Sequence, residues 1–173
     1  ALLDGRKTQT RRILKPQPLM GYTPDVTASK GIRFAKGDRL WVRETFSFDH
    51  RWTGLPPRDV QWEEPVWYWA DGDPADGDWT KPKPGIHMPR WASRITLTVA
   101  DVRAQRLQEI SEADAIAEGA PAVISGQGVD GPVKTHRTGF VGIWNKINGN
   151  WLDNPWVVAI TFVVEQRNTL HKE

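Results

Sequence analysis

The segment PWVVAITFVVEQ (155–166) decides the fold class, because it is a mostly apolar run rich in valine. Such a run is typical of a β-strand that is buried on both faces. A second long strand is indicated over residues 93–103, where Ile95, Leu97 and Val99 alternate with polar side chains. The sequence therefore predicts a protein in which β-strands supply much of the core.

Shorter elements complete this pattern. Three further strands are predicted within QTRRILK (9–15), GDRLWVRETF (37–46) and VWYWADG (66–72), and a short helix within FVGIWNKING (140–149). The clearest helix is SEADAIAEG (111–119), in which Ser111 can cap the first turn, Asp114 completes a capping box and Gly119 ends the helix. Strands outnumber helices and the connections are long, so we expect an α+β fold with a curved sheet or a small closed barrel.

A length of 173 residues predicts a single domain over 1–173. Segments rich in Pro, Gly or Asp predict loop insertions near 49–64, 71–85 and 120–138. The chain begins with Ala, and ALLDG is typical of a helix end closed by Gly5. We therefore expect native residues before Ala1, including a first strand.

The composition excludes several classes of protein. The sequence has no cysteine, which excludes disulfides, thiolate zinc sites and a cysteine nucleophile, and suits a cytoplasmic location. No apolar run approaches the roughly 20 residues that span a bilayer, so no membrane partner is predicted. The 4 histidines lie far apart without a metal-binding spacing. We therefore expect neither a metal nor a cofactor.

The charge is concentrated at the start of the chain. The formal net charge is +2, yet the first fifteen positions include the cations Arg6, Lys7, Arg11, Arg12 and Lys15. This local charge indicates an anionic partner such as phosphate, although a solvated basic edge explains it equally well. The 10 tryptophans fit core packing or the stacking of nucleobases.

Lys7 and Thr10 also have the residue types for nucleophilic catalysis. A threonine hydroxyl is a weak nucleophile until a neighbour removes its proton, and a neutral lysine can do so. Repulsion from the neighbouring arginines would favour the neutral lysine. In an extended chain the two residues would be roughly 10 Å apart, so this chemistry requires a bend between them. A glutamate from the 111–119 helix could then orient the lysine or donate a proton. A structural or phosphate-binding role remains the alternative.

Four segments carry a pattern that extends along most of the chain: LLDGRKTQTRR (2–12), KGDRLWVRE (36–44), LQEISEADAIAEG (107–119) and NPWVVAITF (154–162). Together they resemble the ASCH-domain family, which belongs to the PUA-like β-barrel superfamily of bacteria and their phages. The segment HMPRWASRITL (87–97) is similar to the phage-associated branch. The resemblance implies a barrel fold and an association with RNA or modified nucleosides.

Some small bacterial members of this family are amidohydrolases that remove the acyl group from N4-acetylcytidine with a Lys, a Thr and a Glu. The matching positions here are Lys7, Thr10 and Glu118, and Arg12 matches a basic residue two positions after the threonine. The resemblance thus implies a metal-free hydrolase that cleaves the carbon–nitrogen bond of an acylated pyrimidine nucleoside. Further expected contacts to the pyrimidine and ribose are Trp41, Arg43, Arg90, Trp91 and Arg94.

Two other functions remain open at this stage. The basic segment 6–12 could serve an RNA-binding module that grips phosphates. The resemblance also allows ribonuclease activity, but the sequence has no histidine pair near the basic segment. The amidohydrolase is the leading prediction, with a free nucleoside or RNA as its substrate.

Overall fold

A computed structural model describes residues 1–19, 32–61, 64–75, 77–128 and 131–166. In chain order its strands and helices are β1 (Gln9–Ile13), β2 (Arg39–Trp41), β3 (Phe46–Phe48), β4 (Val66–Tyr68), β5 (Ile95–Arg106), α1 (Glu112–Ala117), β6 (Val123–Gly128), β7 (Gly131–Thr135), α2 (His136–Asn148) and β8 (Trp156–Gln166). Short 3₁₀ turns lie between several of these elements.

The strands form one larger sheet and two hairpin-like pairs. The larger sheet has the order β1-β8-β5-β2, while β3 pairs with β4 and β6 pairs with β7. Strand β1 runs antiparallel to β8, with Gln9 opposite Thr161 and Ile13 opposite Val157. The predicted α+β class is confirmed. Within the described residues these strands form separate sheets, and no closed barrel is present.

The two long strands lie where the sequence predicts them. The apolar run at 155–166 forms β8, whose residues 157–160 are all buried. The alternating segment forms β5, which continues three residues beyond the predicted end, to Arg106. The alternation of apolar and polar residues predicted β5 correctly because it matches the burial: Ile95, Leu97 and Val99 are all buried, whereas the intervening Thr96 and Thr98 are half-buried.

The predicted continuous strand at 37–46 is wrong. The chain pairs with β5 up to Val42, whose amide donates to the Ile95 carbonyl, and it then enters β3. All three residues of β3 are buried, and Phe46 and Phe48 join an aromatic cluster. Burial of these rings therefore diverts the chain into a different sheet.

The predicted loop near 120–138 is largely a β-hairpin. Strands β6 and β7 pair antiparallel there, with an irregularity between Ile124 and Gly126. Helix α2 then begins at His136, four residues before the helical pattern in the sequence. Every residue of β6 is exposed, so no apolar alternation marks the hairpin in the sequence.

The chain divides into two compact units. Of the described residues, the first unit contains those within 1–38 and 98–164, and the second contains those within 39–97 and 165–166. The core of the first is formed by Leu107, Ile110, Ala115, Ala120, Phe140, Trp144 and Val157. The core of the second is formed by Phe46, Phe48, Val60, Tyr68, Met88 and Ala92. A single domain over 1–173 stays a prediction.

No helix in the described part of the chain is long and apolar enough to cross a membrane.

The two helices of the first unit are joined at the start of α2. The Glu112 carboxylate accepts the backbone N–H groups of His136 at 2.6 Å and Arg137 at 3.0 Å. These two hydrogen bonds lower the pKa of Glu112. Two positions after Arg137, a Cβ added at Gly139 would collide with the Pro121 carbonyl oxygen. The close approach of α2 to this segment therefore requires glycine at 139.

We expect Gly139→Ala to lower the free energy of unfolding by about 3 kcal/mol, because the new methyl group forces the backbone at Pro121 to move. The matched control is Gly142→Ala in the same helix, where nothing lies within 4 Å of the added Cβ. That variant gains helix propensity and should be more stable by up to about 1 kcal/mol. Urea denaturation followed by circular dichroism measures both changes. Equal stability of the two variants would contradict the packing argument.

Candidate functional site

Lys7 and Glu118 are in direct contact although 111 positions separate them in the chain. The Lys7 Nζ donates to Glu118 Oε2 at 2.7 Å and to the Glu118 carbonyl oxygen at 2.9 Å. The Glu118 side chain is 6% exposed, and the Lys7 side chain is 28% exposed. The pair is thus a shielded, charge-assisted hydrogen bond with one partner reachable from solvent.

Local sequence signals explain why the glutamate lies at this point. Ser111 and Asp114 form the predicted capping box, and Glu118 is the C-cap residue of the short helix α1. Gly119 follows with a φ of +76°, and a Cβ there would lie 3.3 Å from the Lys7 Cβ. The Thr8 amide donates to the Ala117 carbonyl at 2.8 Å. The end of α1 is therefore attached to the chain just before β1 by backbone and side-chain bonds together.

Arg11 supplies a second cation to the same glutamate. Its side chain is 0% exposed, and its Nη1 donates to Glu118 Oε1 at 3.1 Å and to Gln9 Oε1 at 2.6 Å. Its Nη2 lies 2.9 Å from Asp114 Oδ2, an ion pair without the alignment of a hydrogen bond. Asp114 and Glu118 are four residues apart and thus share one face of α1. Each oxygen of Glu118 is therefore held by a different cation.

These charges continue to strand β5 through Asp114, which also accepts a hydrogen bond from Arg103. Burial alone would raise the pKa of Asp114, but the hydrogen bond from Arg103 and the charge of Arg11 lower it overall. Burial lowers the pKa of Arg11, and the charges of Glu118 and Asp114 oppose that shift. The result is a row of alternating charges from Lys7 to Arg103.

An open groove of about 450 Å³ lies beside this network, entirely within the first unit. From the strand side it is lined by Lys7, Thr10, Arg11, Arg12, Ile13 and Lys15, and from the helix side by Phe140, Ile143, Trp144, Ile147 and Asn148, with Glu118 as the contribution of α1. Its size falls in the range of sites that bind small molecules.

Thr10 lines the groove but is not bonded to the lysine. Its side chain is half-buried and makes no hydrogen bond with any described residue, so its hydroxyl is open to a ligand. Alternation along β1 places Gln9 and Arg11 on one face, as their mutual hydrogen bond shows, and Thr10 with Arg12 on the other. The structure thus brings Lys7 and Glu118 into contact and places Thr10 and Arg12 along the same groove.

The remaining predicted contacts belong to the second unit, where Arg94 is the most buried. Its guanidinium nitrogens donate to both oxygens of Glu44 and both of Asp71, and it lies 4.0 Å from the centre of the Tyr68 ring. Burial favours the neutral form, but the hydrogen bonds that Arg94 donates to the two carboxylates outweigh it and raise the pKa of Arg94. These contacts give Arg94 a structural role, and its contact with substrate stays a prediction.

The other four expected substrate contacts are two tryptophans of the second unit and two exposed arginines. Trp91 stacks on Phe48 with ring centroids 5.6 Å apart, and Arg43 lies 4.6 Å from the centre of the Trp41 ring. Arg90 is exposed. Both tryptophans are half-buried and pack against the core of the second unit. Their roles in substrate binding stay predictions.

Sequence reasoning missed two features of the site. It treated Arg11 as one cation of a basic run, yet alternation along β1 together with the four-residue spacing of Asp114 and Glu118 could have indicated a buried pair. It also missed the groove wall on α2. Phe140, Ile143, Trp144 and Ile147 follow the spacing of a single helix face, which was a usable signal.

Comparisons with known proteins add no assignment. Neither the protein-family models, nor the curated proteins, nor the solved structures give a significant match to the chain. Among the described residues, no group of three or more histidine, aspartate or glutamate side chains is arranged to hold a metal ion.

We expect Arg11→Met to lower the free energy of unfolding by roughly 3–5 kcal/mol, because it leaves the shielded carboxylate of Glu118 and the half-buried one of Asp114 without their shared cation. The matched control is Arg12→Met, since the adjacent Arg12 is exposed. This control should change the stability by no more than about 0.5 kcal/mol. Denaturant titration of the three proteins measures the difference. A loss in Arg11→Met no larger than in the control would contradict a buried network.

Proposed function

We propose that the protein is an amidohydrolase that removes the acyl group from N4-acylcytidine or a closely related pyrimidine nucleoside. One observation carries this proposal: the amine of Lys7 is held 2.7 Å from a shielded carboxylate, beside a groove that also contains a free threonine hydroxyl. Amine, carboxyl and hydroxyl are the three groups that acyl transfer through a threonine nucleophile needs.

The reaction begins with a proton transfer inside the charged pair. Glu118 accepts a proton from the Lys7 ammonium, which leaves a neutral amine in contact with a carboxylic acid. The Lys7 amine then takes the proton of the Thr10 hydroxyl, and the Thr10 Oγ1 attacks the acyl carbonyl carbon. Proton transfer to Glu118, whose Oε2 lies 2.7 Å from the Lys7 Nζ, makes the amine neutral without repulsion from the neighbouring arginines.

The tetrahedral intermediate collapses when the bond between the acyl carbon and N4 breaks. The leaving nitrogen receives the proton that Lys7 has taken, and cytidine departs with an amino group. The acyl group is now an ester of Thr10. Water attacks this ester and gives a proton to the Lys7 amine, which passes it to Thr10 Oγ1 as the ester bond breaks and a carboxylic acid is released. Glu118 then returns its proton to Lys7, which restores the starting ion pair. Atoms and charges balance without any cofactor.

The oxyanion of the intermediate requires hydrogen-bond donors. Arg12 shares the strand face of Thr10 and lies two residues further along, which corresponds to roughly 7 Å in a strand. Its guanidinium is exposed and lines the groove. Arg12 is therefore placed to reach an oxygen of a substrate attached at Thr10.

The resemblance to ASCH-domain proteins supports the same assignment. It matches the Lys, Thr and Glu of the N4-acetylcytidine amidohydrolases to Lys7, Thr10 and Glu118. With it we propose a PUA-like barrel as the parent fold, membership of a phage-associated branch of the family, and a cytoplasmic site of action on a free nucleoside or on RNA.

We expect Lys7→Ala and Thr10→Ala each to lower the release of cytidine from N4-acetylcytidine by at least about 10³-fold, because each removes a group that forms or breaks a bond. The matched control is Thr8→Ala, which removes an exposed hydroxyl two residues away and should retain activity. Chromatographic detection of cytidine, with and without a chelator, measures the rates. Full activity in both site variants would refute the proposed function.

RNA binding is the second candidate function, favoured by Arg12 and Lys15. Both are exposed on the rim of the groove, and neither has an ion-pair partner among the described residues.

Under this second hypothesis, affinity for single-stranded RNA falls steeply as salt increases, because phosphate contacts release counterions. Lys7→Arg is then tolerated for binding, whereas hydrolysis would lose its base. Fluorescence anisotropy with a labelled oligonucleotide across a salt series measures the affinity. Undetectable or salt-insensitive binding would contradict the hypothesis.

A further inference from the structure

We propose that the helix side of the groove is a binding wall for acyl chains longer than acetyl, formed by Ile143 and Ile147. This inference rests on the proposed function, because it assigns the acyl chain of an N4-acylcytidine as the occupant of the wall. It concerns the preferred substrate within that class.

The two isoleucines are a paired apolar surface at the mouth of the groove. The side chain of Ile143 is 43% exposed and that of Ile147 is 74% exposed. They are four residues apart and thus stand one turn apart on the same face of α2. Their neighbours Phe140 and Trp144 are buried in the core of the first unit, which leaves the isoleucines as the apolar surface a ligand can cover.

The strand side of the groove is polar and cationic, in contrast to the apolar helix side. Lys7, Arg12 and Lys15 place cationic groups there, while Thr10 contributes a hydroxyl. A ligand that contacts both sides needs polar groups at one end and an apolar chain at the other. An acylated nucleoside has this polarity, with its amide at the junction.

The distance between Ile143 and Ile147 sets the length of the acyl chain that can contact both side chains. One helical turn separates Ile143 from Ile147, which is roughly 6 Å along the axis of α2. The methyl of an acetyl group can contact one of the two side chains, whereas an acyl chain of about six carbons can lie across both. Because each buried methylene adds to binding, hexanoyl should be preferred over acetyl by about tenfold in kcat/KM.

The experiment compares N4-hexanoylcytidine with N4-acetylcytidine for the wild type, Ile143→Ser and Ile147→Ser. The matched control is Ile116→Ser, an isoleucine of α1 that is 50% exposed and lies outside the groove. We expect about tenfold preference for hexanoyl in the wild type and in the control, and a ratio near one in both groove variants. Circular dichroism checks that the variants are folded.

Equal or better hydrolysis of the acetyl substrate by the wild type would overturn the wall and leave the proposed function intact. If no N4-acylcytidine is hydrolysed, the proposed function fails. The binding of compounds that cannot be hydrolysed then tests whether the wall exists. The probes are N4-hexylcytidine and N4-methylcytidine, which lack the scissile amide, measured by calorimetry. Tighter binding of the hexyl compound that is lost in Ile147→Ser supports the wall, and equal binding of the two overturns it.

Discussion

The candidate site depends on the hydrogen bonds that Lys7 and Arg11 donate to the two carboxylate oxygens of Glu118. One carboxylate oxygen accepts from Lys7 and the other from Arg11, so the carboxylate cannot rotate without losing a charged partner. Charges removed from water are costly unless their partners are well placed, and here each cation comes from the segment that forms or precedes β1. The position of helix α1 is therefore coupled to that of an amine and a hydroxyl on the opposite segment.

This coupling determines which proton transfers the site can perform. A lysine held against a carboxylate has a proton acceptor within reach, and a second cation keeps that acceptor in place. Asp114 and Arg103 extend the alternation of charge to β5. The groove beside this row has a cationic side from the strand and an apolar side from α2. Small amphipathic molecules are the ligands for which such a two-sided surface is complementary.

The parts that the sequence predicts correctly have local causes. Strand β8 follows from its own apolar composition, and α1 follows from a capping box within four residues. The break between β2 and β3 and the hairpin β6–β7 were not predictable, because distant packing diverts the first and no burial marks the second. The pairing of Arg11 depends on contacts over more than a hundred residues. The family resemblance matches Lys7 and Glu118 to catalytic positions, but no signal in the sequence shows that the two side chains meet.

The pairing of β1 with β8 has a consequence for the order in which the protein is made. Gln9 and Thr161 bond to each other across 152 positions of the chain. The ribosome therefore releases the segment with Lys7 and Thr10 long before its partner strand exists, and closing so long a loop is entropically slow. During that interval β1 lacks the strand with which it pairs. The site we propose therefore forms only after residues 156–166 have been synthesised.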